Sequence, residues 1–346
     1  MDERIRSAVG AEPAWIVGGA LRDELLGREL VDVDVACADP ELAARLYSRL
    51  AGAAVFPLSE RHGAWRVALP GGRTVDFTPL RNGIEDDLGT RDFTVNAIAR
   101  PVEGGELVDP LGGRADLEAR RLRAVSPTIF ADDPLRLLRA VRLEDELGFR
   151  LDEEGERLLR ESASRAAEPA GERVLDELER LSPEGFRRAD ELGLLRPLGG
   201  TLERLDGVDL VDTRGFLLVV VFGEGLERYP VSRELGRFAR TLLSASRPKD
   251  DSPREIHRFR RRTEPWALSA LAFLGAPELY EAVRAARVSE PSAPLLRGDE
   301  LGIEPGPEIG WLLERVAEER AAGTISTRED ALALVARERR DPSPST

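Results

Sequence analysis

The chain has 346 residues, 33% of them charged and 42% hydrophobic, and a net charge of −14. That length allows two or three domains with cores of their own, and no apolar run approaches a bilayer span, so no membrane-spanning helix is expected. A single cysteine, Cys37, excludes a disulfide framework, and two separated histidines, His62 and His257, exclude a zinc or histidine-based metallohydrolase site.

The charged opening MDERIRSAVG lacks the apolar centre of a secretion signal, so a soluble protein of the reducing cytoplasm, with no membrane partner, is expected. Net acidity argues against a nucleic-acid partner only on average. Lys249 is the sole lysine among 50 basic residues. A bias toward GC-rich codons is the simplest source of that excess of arginine. Whatever its source, the cations of any site are planar, bidentate donors suited to phosphates and base edges.

In chain order, AWIVGG, VDVDVAC, AWRVAL and RTVDFTPL read as strands by their β-branched content and bounding turns. Helices are expected over residues 20–26, 40–50 and 93–100. From about residue 126 apolar residues recur at i, i+3 and i+4, as in DDPLRLLRAVRLEDELGF and GERVLDELERL, and strand signals vanish. The remainder reads as helical, punctuated near residues 246–253 and 289–294, with a disordered tail RRDPSPST. The fold class is therefore α+β: a mixed sheet with helices over residues 1–125, then an all-helical region.

Chemistry concentrates in IVGGALRDELLGRELVDVDVAC. Asp32 and Asp34 lie two apart in an apolar strand and so share one face, where their repulsion calls for a cation, which suggests a metal. Gly18 and Gly19 join a strand to a helix, leaving backbone amides open to a phosphate, and Arg22 reaches the same anion. A tight turn explains the glycines as well. Followed at short range by the D-x-D strand, they describe a site for metal-assisted nucleotide transfer. A third carboxylate is expected on a neighbouring strand. Asp76 qualifies, because Val75 and Phe77 would face the core while Asp76 points away, although surface aspartates are common in strands.

These residues resemble the signature of the class II tRNA nucleotidyltransferase/poly(A) polymerase family, within the polymerase β-like superfamily. RDFTVNAIA, LVDPLGGRADLEARRLRAV, DDPLRLLRAVRLEDELGF and GERVLDELERL follow in the family's order, and LLRGDELGIEPGPEIGWLLERVAEERAAGTISTREDAL resembles the C-terminal segment of bacterial CCA-adding enzymes. The match is weakest between residues 201 and 294. The resemblance implies a catalytic head over residues 1–125, a base-recognising neck over 126–205 and a tRNA-binding body and tail over 206–346. It also implies Mg²⁺ held by Asp32 and Asp34, and nucleotide contacts from Gly19, Arg22 and Arg91. CTP, ATP and the tRNA 3′ end would be its partners. Thr90 departs from the family's paired arginines before DFT, and Leu143 stands where an aromatic is common.

Asp133 and Arg136 are spaced i, i+3 on an expected helix. An aspartate accepts from the exocyclic amino group of C or A while an arginine donates to the ring edge. G and U place a carbonyl there instead, leaving an unpaired contact that costs about 1–3 kcal/mol. The pair thus selects C and A without a template. An ordinary helix salt bridge is the plain alternative. Arg139 and Arg142 continue the stripe, either supporting the pair, contacting triphosphate or lying on a solvated face. REIHRFRRR is the densest basic run, so Arg258, Arg260 and Arg261 are candidates for RNA phosphates, or again a solvated face.

Full CCA addition leads the readings. CC-only or A-only enzymes and a poly(A) polymerase are its closest rivals, the last disfavoured by the lack of a basic stretch after the D-x-D strand. A small-molecule nucleotidyltransferase is more remote.

Overall fold

A computed structural model of the chain describes residues 2–59, 63–80, 82–208, 215–289 and 293–340. His62 and all but the first two residues of the tail expected to be disordered lie outside the described residues. The chain divides into two compact units, Met1–Leu198 and Gly199–Thr346.

The first unit is built on a six-stranded sheet in the order β3-β4-β5-β2-β1-β6. Its strands are β1 (Ala14–Val17), β2 (Asp32–Cys37), β3 (Ala54–Ser59), β4 (Ala64–Ala68), β5 (Thr74–Pro79) and β6 (Ala99–Pro101). Among the described residues of this sheet only β2 and β5 pair in parallel. The four expected strands are β1, β2, β4 and β5. The unexpected β3, AVFPLS, carries Pro57, which hides the strand signal and is tolerated because β3 is an edge.

Alternation along β2 sets the two faces. Val33, Val35 and Cys37 face α1 (Glu3–Val9) and α3 (Pro40–Ala51), where buried Tyr47 packs on Phe77 with ring centroids 5.8 Å apart. Asp32, Asp34 and Ala36 point the other way. On that face Val17, Ala36, Leu88, Ala97 and Ala99 form an apolar cluster, with Leu88 supplied by α4 (Ile84–Gly89). The carboxylates stand at the uncovered end of the same face, near α2 (Gly19–Leu25).

Two expectations are corrected. Residues 93–100 are not a helix: Thr94–Asn96 form one 3₁₀ turn, and the chain then enters β6 against β1. The Asp92 side chain accepts from the Phe93 N–H and the Asn96 amide, offering local partners that compete with a helix. Phe93, Val95, Ala97, Ile98 and Ala99 are all fully buried, so no polar face exists. Strand structure also persists past residue 126. β7 (Arg121–Leu122) pairs in parallel with β8 (Arg150–Leu151), each too short to leave a pattern.

The unit is completed by α5 (Gly113–Glu118), α6 (Ile129–Asp132), α7 (Leu135–Leu147), α8 (Glu153–Ser162), α9 (Gly171–Leu178), α10 (Pro183–Glu191) and α11 (Leu195–Leu198). The second unit is helical among its described residues: α12 (Phe216–Phe222), α13 (Arg233–Ser244), α14 (Pro253–Thr263), α15 (Ala267–Phe273), α16 (Tyr280–Ser289), α17 (Pro307–Ala321) and α18 (Arg328–Arg340). Among the described residues no helix is long and apolar enough to cross a membrane.

The turn after Asp92 depends on Gly113. A methyl group there would lie 2.1 Å from the Thr94 carbonyl oxygen and 2.9 Å from Ile98 Cγ1. Gly113→Ala is therefore expected to destabilise the first unit by about 1–3 kcal/mol. Gly89→Ala, which meets open space, should change the urea midpoint little.

Candidate active site

The parallel register of β2 with β5 sets Asp34 beside Asp76 and Asp32 beside Thr74. On the far side of Asp76, β4 presents Arg66, whose Nε and Nη2 each donate to an Asp76 oxygen at 2.7 Å. Asp76 is thus pinned by a bidentate pair and buried. Exposed Asp32 accepts from the Thr74 hydroxyl at 2.7 Å. The side chain of Asp34, partly buried between them, forms no hydrogen bond or ion pair among the described residues. Burial, Asp76 and Asp32 together push its carboxyl up to about 6, against the opposing charges of Arg91 and Arg139.

Gly18 closes the site on the β1 side. Its φ of 73° suits glycine, and a methyl group there would lie 2.8 Å from Arg91 Nη1 and 2.9 Å from Asp34 Oδ2. At Gly19 the nearest atom to such a group is Arg22 Nη2, at 3.4 Å. The GG turn therefore has a guanidinium at each residue and the unpaired carboxylate alongside. Each guanidinium is already paired, Arg22 with Asp23 at 2.9 Å and Arg91 with Asp87 at 3.0 Å, so an anion at the turn would share them with those carboxylates.

The residues fit a hard divalent cation. A partly buried carboxylate without a partner, flanked by two more, is the donor type such an ion takes. No three acidic, histidine or cysteine side chains form a ready-made cage among the described residues. Such a site is filled by one or two carboxylates together with the oxygens of a bound phosphate.

Two polar residues that sequence reading passed over organise these cations. Asp92 and Asn96 lie inside the RDFTVNAIA motif, of which only Arg91 stood out. Asn96 Oδ1 accepts from buried Arg22 at 2.8 Å, and Asn96 Nδ2 donates to Asp92 at 2.9 Å. Burial alone would raise the Asp92 carboxyl, but the Arg139 charge and hydrogen bonds from Asn96, Arg139 and Phe93 N–H bring it down to about 2. Arg139 donates to it from α7 at 2.8 Å.

The neck candidates divide. Asp133 is not on a helix: it has extended backbone between α6 and α7, because Pro134 begins the next helix and disfavours a helical residue before it. The one-face spacing with Arg136 and the plain helix salt bridge are both corrected by this. Asp133 instead accepts from the Leu135 N–H at 3.1 Å and from Arg173 at 2.8 Å. Arg136 donates to the Thr90 carbonyl at 2.6 Å, beside Arg91. Arg139 is brought to the site through Asp92. Arg142 is not: it is buried against Glu177 (2.5 Å) and Glu146 (2.7 Å), where it holds helices together.

The basic run in the second unit is neutralised except at Arg262. Arg258 pairs with Glu255 and Glu318, Arg260 with Glu264, and Arg261 with Glu314. Arg237, Arg240, Lys249 and Arg262 carry no ion pair among the described residues. They line two cavities of about 530 and 280 Å³ between α13 and α14 that share Thr241 and Ser244. Glu234 and Glu264 line the larger one as well, and Arg237 lies over the Trp266 ring. Nothing in the spacing of these cations distinguished them from any solvated helix face.

Comparison with known proteins bears on the whole arrangement. Residues 14–83 and 71–123 match the poly A polymerase head domain. The chain is 35% identical to the A-adding tRNA nucleotidyltransferase of Deinococcus radiodurans over 94% of its own length and 95% of that protein. It is 33% identical to the CC-adding tRNA nucleotidyltransferase of Thermus thermophilus, covering 93% of each chain. Its fold matches that of the Thermotoga maritima CCA-adding enzyme complexed with tRNA, with a TM-score of 0.73 at 24% identity over 97% of this chain and 93% of that one. With the head-domain match falling on the carboxylate-bearing sheet and the relatives spanning nearly the full length, the chain belongs to the tRNA nucleotidyltransferase/poly(A) polymerase family, as a metal-dependent tRNA nucleotidyltransferase of the CCA-, CC- or A-adding type.

Proposed function

We propose that the chain completes the CCA end of tRNA from CTP and ATP without a nucleic-acid template, releasing diphosphate. The observation that carries this reading is the placement of Asp133 and Arg136 at the head of α7, where Arg136 touches Thr90 beside the Arg91 that flanks Asp34. A base read by Asp133 and Arg136 would have its phosphates within the same unit as the two guanidiniums at the GG turn.

The reaction joins the tRNA 3′ oxygen to the α-phosphorus of the nucleotide and breaks the bond to the β-phosphate, the 3′ hydroxyl proton passing to a base. Asp32 and Asp34 would hold Mg²⁺, which when bound polarises phosphoryl oxygens and screens their charge. Gly18 and Gly19 leave room for the triphosphate, and Arg22 and Arg91 bind it. Arg66 fixes the Asp76 carboxylate through both of its oxygens, and Arg139 holds the neck helix against the head through Asp92. The cations free of ion pairs on α13, α14 and the segment between them would take the RNA backbone. The reading places the chain in the cytoplasm, which the lone, buried Cys37 suits.

A second reading, addition of CC alone or A alone, is favoured by one observation. The two relatives described above that span nearly the whole chain carry those names. Incubating the protein with tRNA lacking its last three nucleotides, or ending in CC, with each NTP in turn separates them by the sequences produced. Full addition predicts CCA on the first substrate. Asp133→Ala should relax the preference for C and A over U and G in the same assay, and an unchanged preference would sink base reading by this pair.

Asp34 yields a prediction independent of turnover. Its carboxyl holds a proton more tightly in the fold than in the unfolded chain, so its stabilising contribution is complete below about pH 4 and lost as pH rises through 6. Above that it opposes folding of the metal-free protein by on the order of 3 kcal/mol. Asp34→Asn should abolish incorporation yet raise the unfolding midpoint in chelator at pH 8, with no gain at pH 4.

Binding of tRNA should weaken with salt despite the net charge. Replacing Arg237 and Arg240 by Ala should lower the slope of log K against log salt by roughly one for each phosphate no longer bound. Replacing Arg258, Arg260 and Arg261, already paired, should change that slope less.

A further inference from the structure

The carboxylate of Asp133 is held from two directions. One oxygen accepts the Leu135 N–H at 3.1 Å, two residues on, closing the first turn of α7. The other accepts Arg173 Nη2 at 2.8 Å, from α9. The first contact is local and survives changes elsewhere in the chain. The second is the only hydrogen bond among the described residues that ties this side chain to another helix. An aspartate χ2 is a broad, soft torsion, so a single hydrogen bond through one oxygen leaves the carboxylate plane free to swing.

Arg173 is itself well placed to fix that plane. Glu177, one turn further along α9 and on the same face, accepts buried Arg142 at 2.5 Å and lies 3.7 Å from Arg139. α9 is thereby clamped to α7 one turn from Arg173, which keeps the backbone of Arg173 within reach of Asp133. An ionised carboxylate offers about four acceptor directions, and two are taken here. Acceptor capacity remains for an incoming amino group.

We propose that Arg173 is a specificity-determining positioning residue, which fixes the orientation of the Asp133 carboxylate so that it meets the amino group of C or A and opposes the carbonyl of U or G. The inference rests on the base-reading role of Asp133 given above. It does not depend on the stability of the pair: both side chains are partly exposed, Arg173 by 53%, and such pairs contribute little to folding. What the contact supplies is direction.

The test is competitive incorporation of the four NTPs, on tRNA lacking CCA and on tRNA ending in CC, by the native chain and by Arg173→Ala, Arg173→Lys and Asp133→Ala. Thermal unfolding of each verifies the fold. Arg173→Ala should raise the use of U and G relative to C and A by roughly tenfold, while its unfolding midpoint stays near the parent. Arg173→Lys, which keeps a donor, should restore most of the preference. If Arg173→Ala keeps the parental preference while Asp133→Ala relaxes it, the contact is only a surface ion pair and the inference fails while base reading survives. Parental preference in both variants removes base reading itself. Faster use of C and A by Arg173→Ala with unchanged preference would make Arg173 a competitor for Asp133, and also overturn the inference.

Discussion

A buried carboxylate, Asp92, joins the sheet side of the first unit to α7, and the arrangement of the candidate site depends on that joint. Through one oxygen it orders the Phe93 N–H and the Asn96 amide, and Asn96 in turn orients Arg22 beside Gly19. Through the other it takes Arg139 from α7. One anion therefore sets the position of Arg22 beside the GG turn and of the helix that presents Arg136. A buried charge is tolerable only when its partners are all present, and removing one leaves the other uncompensated. Such a network adds little net stability but strongly penalises any arrangement in which α7 slides away from the turn after Asp92.

The carboxylate face works by the opposite logic. Parallel pairing of β2 with β5 forces Asp34 against Asp76, and Arg66 on β4 neutralises only the latter. Asp34 is left to bear the repulsion. The fold carries this because the reverse face of the same strands is ordinary core, with Val35, Val75 and Phe77 buried under α3. Strain concentrated at one residue and offset by packing behind it is the usual form of a pre-organised site. A cation bound there would relieve a penalty already built in.

Much of this was legible in the sequence, for physical reasons that differ from residue to residue. The four strands that carry the site alternate cleanly or run apolar, and Asp32 and Asp34 stood out because charge breaks an apolar run. Asp76 could be placed on the correct face from period-two alternation alone. Residues 93–100 misled because a fully buried segment has no polar side from which to judge its period, and its turn is set by the Asp92 side chain rather than by propensity. Asp133 misled because Pro134 starts a helix as readily as it interrupts one. The partners Arg66, Asn96 and Arg173 were out of reach, since each acts across a strand pair or between helices. Spacing along the chain carries no trace of such contacts.

Charge shows the same limit most plainly. With 64 acidic and 50 basic residues, the default condition of an arginine here is to have a carboxylate neighbour. A dense basic run does not create a positive surface if the facing helix is acidic. Arg258 and Arg261 on α14 meet Glu318 and Glu314 on α17, and Arg254 meets Glu319. The run REIHRFRRR is in effect one half of a helix–helix seam. Arg237 and Arg240 are sparser in sequence, yet they remain without an ion pair among the described residues because their side of α13 faces the cavities rather than an acidic helix. What a phosphate meets is the charge left after internal pairing. In an acidic, arginine-rich protein that residue of charge is set by which helices pack together, so a polyanion finds its cations where the tertiary structure has withheld their carboxylates.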